Sequence, residues 1–570
     1  MRYYALATDY DGTLATEGRV DDAALEALQR LRGSGRRLIL VTGRELNDLF
    51  QVFPRIDLFE RVVAENGALL YRPATKETKL LAKAPPAQFA ETLRDRGVAP
   101  LSVGEVVVAT WTPHEKTVLD AIRELGLELQ VIFNKGAVMV LPSGVNKATG
   151  LAATLEELGL SPHNVVGVGD AENDHAFLNR CECSVAVANA LPALKEQADW
   201  VTQGSRGAGV TELIERLLAS DLAELAPRLK RHEILLGQRP EGEEVHLQPY
   251  GSSVLLAGTS GGGKSTFATG FLERLSEQGY QFCIVDPEGD YQNFEGAVVL
   301  GSPQRAPTVE EAVQLLEKPG QNAVINLLGV AREGRPAYFE GLLAALMELR
   351  ARTGRPHWIV IDETHHLLPS AWAPALLTVP KEFHGFLFIT VHPDHVAAAV
   401  LTSVDLIIAI GSTPQETIRT SGETLGERVP PVPAVSLEPG EAIAWWRRPK
   451  REPFSFRSIP PRMERLRHLR KYAEGELPPD RSFYFQGPNG RLNLRAQNLF
   501  FFLQLADGVD EETWIYHLRQ GDYSNWFRRM IKDPQLADET AQIEADGALS
   551  AKESRARIRE KIEARYTHPA

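Results

Sequence analysis

Two short apolar strands in this chain each run straight into a phosphate-holding motif, and that pairing constrains the fold more than any other feature. In ALATDYDGTLA the strand ends at Asp9 and Asp11, two residues apart. In SVLLAGTSGGGKST the strand opens into a glycine-rich loop, Gly258, Thr259, Ser260, Gly261, Gly262, Gly263, Lys264 and Ser265, with Thr266 beginning a helical pattern. Parallel α/β sheets place ligands beyond the carboxyl ends of their strands, so each motif requires a sheet of its own. A chain of 570 residues has the length for several cores.

Periodicity divides the chain accordingly. Residues 1–218 alternate apolar strands (YALATDY, LILVTG, VVGVGD) with amphipathic helices. A charged stretch from Asp221 to Arg231 is expected to be a helical connector, and a second α/β block spans 233–446. Residues 447–481 are basic and proline-bearing, a linker containing a helical segment. Residues 482–570 form an aromatic, mainly helical module with a charged tail. The fold class is multidomain α/β.

Composition narrows the function classes. Hydrophobic residues make up 43% and charged residues 24%, the balance of an ordinary globular protein. Three cysteines, Cys181, Cys183 and Cys283, give no disulfide framework, and a reducing cytoplasm is the expected compartment. No run approaches the roughly 20 apolar residues of a membrane span, so no membrane partner is expected. A net charge of −13 argues against a broad non-specific nucleic-acid surface but leaves room for a local basic channel.

In the first block, Asp9 is placed to attack phosphorus, and Asp11 to give a proton to the leaving oxygen and then activate water. Asp170 and Asp174, in GVGDAEND, are oxygen donors suited to Mg²⁺ alongside Asp9 and Asp11. Thr42, ending LILVT, can hold a phosphoryl oxygen, and Lys147 can neutralise the attacking carboxylate. These four segments in this order resemble the haloacid dehalogenase superfamily, and AENGALLY (64–71) is similar to its Cof-type branch. The resemblance implies a Rossmann-like core, an α/β cap at 82–142 and a small-molecule phosphate substrate bordered by Arg44, Asn66 and Gly67. His114 and Asn134 are polar cap residues, read as surface groups.

In the second block the loop glycines let backbone amides close around a β-phosphate, while Lys264 reaches the β- and γ-phosphates. Ser265 and Asp362 are the Mg²⁺-side groups, and Glu363, after HWIVID, polarises water. The N-K-x-D signature of a GTPase and an LSGGQ-like segment are absent from this block. The loop, IVDPEGDY (284–291), VIDETHHL (360–367) and FITVHPDHV (388–396) together resemble the HerA/FtsK clade. That resemblance implies a RecA-like ATPase using ATP and Mg²⁺ in a homo-oligomeric ring, with a hexamer favoured. It also implies a trans arginine, for which Arg419 and Arg428 are the candidates, and makes DNA a candidate partner. His365 and His366 are expected to be polar helix-start residues.

Three functions fit: a Mg²⁺-dependent phosphatase coupled to or controlled by an ATPase, a DNA translocase with an accessory phosphatase, and a nucleotide-sensing scaffold. In the last module, the aromatics near Arg528 and Arg529 are expected to form a core rather than a base-stacking surface, and His517 receives no catalytic role.

Overall fold

A computed structural model of the chain describes residues 1–370, 383–433, 435–462, 477, 479, 482–531 and 533–566. The helical segment expected within the basic linker lies largely outside the described residues.

The first eight-stranded sheet runs, edge to edge, 200–201, 183–186, 165–169, 5–8, 37–41, 61–64, 69–72 and 77–80. Its first six strands are parallel and the last two return antiparallel. Register decides where the chemistry emerges. Thr8 pairs with Val168 on one side and Leu40 on the other, so Asp9, Asp170 and Thr42 leave the sheet at one edge. The central parallel strands are apolar and largely buried, as expected where helices cover both faces, whereas the edge strand Glu77–Leu80 is polar and exposed. Over this edge sits a four-stranded antiparallel cap sheet, ordered 102–103, 108–111, 137–142 and 129–134. Helices Ala87–Asp95 and Glu115–Glu124 cover it, packing Phe89, Leu93, Val118 and Ala121 against Val138 and Val140.

The second sheet has eleven strands, with Ser253–Gly258 at its centre between Phe386–Thr390 and Leu406–Ile410. Trp358–Ile361 follows on one side, then Phe282–Asp286. Phe454–Ser458, which the sequence reading placed in the linker, is a strand of this sheet and pairs antiparallel with Glu441–Trp446. Its alternation of Phe454 and Phe456 with polar residues is a strand pattern, obscured by the basic, proline-bearing residues just before it. The expected helical connector is instead a pair of short turns, Ala223–Arg228 and Lys230–His232, where Pro227 interrupts any longer helix.

The two sheets meet at their amino-terminal edges. Tyr4, just before the first strand, donates its hydroxyl to the carbonyls of Arg350 and Ala351 at 2.9 Å. Arg355 reaches the carbonyl of Gly159 at 2.8 Å. His163 stacks on Tyr280 at 3.7 Å and bonds the Gln278 carbonyl at 2.7 Å. At the centre is the fully buried Glu182, which accepts from Arg2, His163 and the Tyr280 hydroxyl. Burial alone would raise its pKa, but the His163 hydrogen bond and the Arg2 guanidinium outweigh that and hold it well below the carboxylate range.

Residues 460–570 form a separate compact unit. Among the described residues, a two-stranded ribbon, Phe483–Phe485 with Leu494–Ala496, packs with five α-helices around Phe483, Phe485, Phe502, Trp514, Tyr523 and Trp526. The aromatics near Arg528 are therefore core. His517 accepts from the Gln486 amide and faces Asp522 at 2.7 Å, which gives it a structural part in this unit.

Candidate active sites

At the first sheet's carboxyl edge, Lys147 is buried and donates 2.6 Å hydrogen bonds to both Asp9 and Asp174. Its position follows from a helix start: Asn146 caps Lys147–Leu158 and exchanges capping-box bonds with Thr149, which fixes the first turn against the cleft. The turn Glu65–Asn66–Gly67 seats that helix start. Glu65 and Asn66 adopt left-handed φ of 50° and 54°, and Gly67 has φ of 106° with the Asn146 carbonyl where a side chain would go. Asn66 and Gly67, expected beside the substrate, are instead buried in this seat, and Asn66 accepts from Asn173 at 3.0 Å.

Three carboxylates, Asp9, Asp170 and Asp174, bring oxygens within 4.8 Å of one another. Asp174 has both oxygens committed: one to Lys147, the other to the amides of Asp170 and Ala171. Its part is to shape the loop that presents Asp170. Asp11, expected as a fourth ligand, turns its side chain out of the cluster. Arg44 forks onto both of its oxygens at 2.6 and 2.7 Å and also binds Asp48. Burial, with Asp174 beside it, pushes the Asp9 carboxyl up to about 7 despite Lys147. Buried carboxylates crowded this closely, with hard oxygen donors on Asp9 and Asp170, suit a divalent cation such as Mg²⁺.

Between this edge and the cap lies a cavity of about 540 Å³ whose lining includes Asp9, Asp11, Arg44, Trp111, Asn134 and Lys135. Thr42 is buried at the strand end, its hydroxyl accepting from the Arg44 amide at 3.1 Å. Asn134, read as a surface group, lines the cavity, whereas His114 is half-buried outside it and meets the Ala99 carbonyl at 3.1 Å. Sequence reasoning missed two residues here. Glu65 accepts the amides of Glu105, Val106 and Val107 at 2.8–2.9 Å, pinning the cap loop to the core. Lys135, at the cap tip, binds Asp170 at 2.6 Å. The NKG triplet between two apolar strands is a hairpin signal that flags this tip.

In the second sheet, Gly258, Gly261 and Gly263 hold φ of 152°, 73° and 99°, conformations that open the loop after the central strand. Lys264 begins the helix Lys264–Glu277 and folds back onto the Gly258 and Thr259 carbonyls at 3.1 Å. Burial pulls its pKa down. Asp362 and Glu363 follow the strand Trp358–Ile361, and Glu363 has a left-handed φ of 42°. Burial, with Glu363 beside it, pushes the Asp362 carboxyl up to about 8. Asp286, by contrast, accepts the amides of Gly289, Asp290 and Tyr291, so it folds its own loop. That loop brings Asp290, unforeseen from the sequence, to 3.4 Å from the Ser265 hydroxyl. His365 faces the Thr390 hydroxyl at 3.1 Å and Glu363 at 3.4 Å. Arg419 and Arg428 are exposed, and Arg419 lies among Glu416 and Glu423 on its own helix.

Comparison with known proteins matches a family to each α/β block. The haloacid dehalogenase-like hydrolase family model matches residues 6–110 and 115–214, and that of the helicase HerA central domain matches 251–333. A phosphoglycolate phosphatase of Methanothermobacter thermautotrophicus is 34% identical over 226 residues, covering 38% of this chain and 98% of the relative. One from Haloarcula marismortui is also 34% identical, over 218 residues, 37% of this chain and 95% of the relative. Among the described residues, no helix is long and apolar enough to cross a membrane. The chain belongs to the haloacid dehalogenase-like hydrolases through its first third, and carries a HerA-type ATPase domain behind it.

Proposed function

We propose that the first site hydrolyses a small phosphomonoester through an aspartyl-phosphate on Asp9, and that the second hydrolyses ATP in an oligomer that controls the first. The observation that carries the phosphatase reading is the Lys147 ammonium shared between buried Asp9 and Asp174 beside the cavity under the cap. Lys147 holds the nucleophilic carboxylate in place and offsets charge as Asp9 meets an anionic phosphoryl group. The Thr42 hydroxyl stands at the strand end for a phosphoryl oxygen. Asp11, released from the Arg44 fork, gives its proton to the leaving oxygen and then takes one from the attacking water. Asp9 and Asp170 would hold Mg²⁺, which supplies neutralisation of the phosphoryl charge.

The relatives are named for phosphoglycolate, and a cavity of about 540 Å³ bearing Arg44 and Lys135 suits a compact substrate with a second anionic group. In the ATPase, Lys264 and Ser265 hold the phosphates and metal with Asp362, while Glu363 orients water. Arg419 or Arg428 completes the site of a neighbouring copy in a ring, favoured as a hexamer.

The test is phosphate release from a panel of phosphoglycolate, sugar phosphates, nucleotides and phosphorylated DNA ends, each with and without ATP. Phosphoglycolate should lead the panel, and ATP should change its rate. Turnover of nothing in the panel, by protein that hydrolyses ATP, would overturn the phosphatase reading. ATP turnover per chain should also fall on dilution and in Arg419→Ala or Arg428→Ala, with nucleotide binding retained. A monomer with undiminished turnover excludes the ring.

A further inference from the structure

One cap side chain, Lys135, reaches the carboxylate cluster. Leu129–Asn134 and Ala137–Pro142 pair with Asn134 opposite Ala137, leaving Lys135 and Gly136 as a two-residue turn. Both have positive φ, 49° and 88°, the geometry of a tight hairpin whose twist matches its strands. The turn carries the Lys135 side chain down to the core. Its ammonium lies 2.6 Å from Asp170 Oδ2 and 3.2 Å from the Asp11 carbonyl oxygen. The nucleophile loop is cut to admit it. A Cβ on Gly12 would come within 2.5 Å of Asp170 Oδ2 and 2.6 Å of the ammonium.

A carboxylate oxygen and a main-chain carbonyl converging on one positive centre are the donor set of a hard cation. Formal charge points the same way. The three clustered carboxylates are faced by Lys147, which is buried and fixed, and by Lys135, whose side chain is 44% exposed. With both ammoniums the group carries one net negative charge. With a divalent cation in place of the Lys135 ammonium it is neutral. Lys147 cannot be exchanged in this way, because it is enclosed beneath the cluster; Lys135 has a path to solvent.

We propose that the Lys135 ammonium is a built-in competitor for the divalent cation at Asp170, so that loading the metal requires the cap tip to lift. This rests on the phosphatase reading of the cluster. In the resting chain the cap hairpin is tied to Asp170 and Asp11. When a cation takes those oxygens, the ammonium is released into the cavity, where its charge faces the incoming anionic substrate. Metal entry and cap opening are therefore one equilibrium, and each must bias the other.

The test uses the full chain without nucleotide and Mn²⁺ as the probe, with free Mn²⁺ followed by electron paramagnetic resonance. Asp170→Asn identifies the sites that belong to the cluster. Lys135→Met keeps the length and removes the charge, and should bind Mn²⁺ at the Asp170-dependent site roughly 10-fold more tightly, the scale of a lost charge-assisted bond. Lys135→Arg should stay close to the parent. In parallel, amide exchange at 130–138 should rise on Mn²⁺ addition in the parent, and be high from the outset in Lys135→Met. Equal Mn²⁺ affinity in the parent and Lys135→Met, with an Asp170-dependent site present, overturns the proposal while the phosphatase reading stands. Identical titrations of the parent and Asp170→Asn would remove the cation site and the proposal together.

Discussion

Asp9 and Asp11 are two residues apart in the chain and sit in opposite surroundings. Asp9 is buried, 4% exposed, and held by an enclosed lysine, whereas Asp11 lies at the cavity wall in the grip of Arg44. Strand alternation would set residues two apart on one side, but the strand ends at Thr8 and the chain turns at once through Gly12, φ 87°, which parts the two side chains. Asp9→Asn should abolish phosphate release by roughly 10³-fold or more, because an amide is no nucleophile, while ATP hydrolysis continues. Parental phosphatase rates in the purified variant would count against Asp9 as the attacking group. The second site divides its labour similarly. Lys264→Ala should lose nucleotide binding, and Glu363→Gln should bind ATP and turn it over slowly, as filter binding and phosphate release would separate. These residues were legible in the sequence because each stands next to a strand or helix start that periodicity reveals. Lys135, Glu65 and Asp290 were not, since their partners are 35, 40–42 and 25 positions away and nothing local marks the pairing.

Among the elements, the cap loop shows how a single side chain sets a hinge. Glu65 takes three consecutive amides of 105–107, two of them on buried valines. Its left-handed φ belongs to the same turn that seats the Lys147 helix. One turn thus positions the core lysine and anchors the cap. Glu65→Ala leaves buried amides unpaired at about 1–3 kcal/mol each. Hydrogen exchange should show protection lost at 105–107, and phosphatase turnover should fall about 10-fold through misplacement of the cap, with ATPase turnover unchanged. A protected loop in that variant would show that other contacts hold the hinge. The cap's strands and helices could be read from alternation and amphipathicity. Its attachment could not, because an acidic residue in AENGALLY reads as a solvated group until the loop whose amides it accepts is seen.

On the scale of the whole molecule, the junction of the two sheets is the decisive feature. Glu182 has a folded pKa below its unfolded one, so its contribution to stability is present above about pH 4.5 and is lost as pH falls through the lower folded value. Glu182→Gln should therefore melt earlier than the parent at pH 7, by the few kcal/mol (about 3–5) that a broken buried pair costs. The gap between the two melting curves should narrow below pH 4.5. A gap that stays constant into acid would mean that the pair contributes nothing through its charge. The junction brings the sheets together at their amino ends, while Asp9 and Lys264 stand at or beyond the carboxyl ends. Two strand lengths therefore separate the chemistries, roughly 30 Å at about 3.3 Å per residue. A molecule leaving one mouth enters open water before it can find the other. Orthophosphate from both reactions should then be caught in full by a scavenger in solution, with no fraction handed across inside the chain. Any coupling between the two centres would then have to run through the stacked rings and hydrogen bonds of that junction.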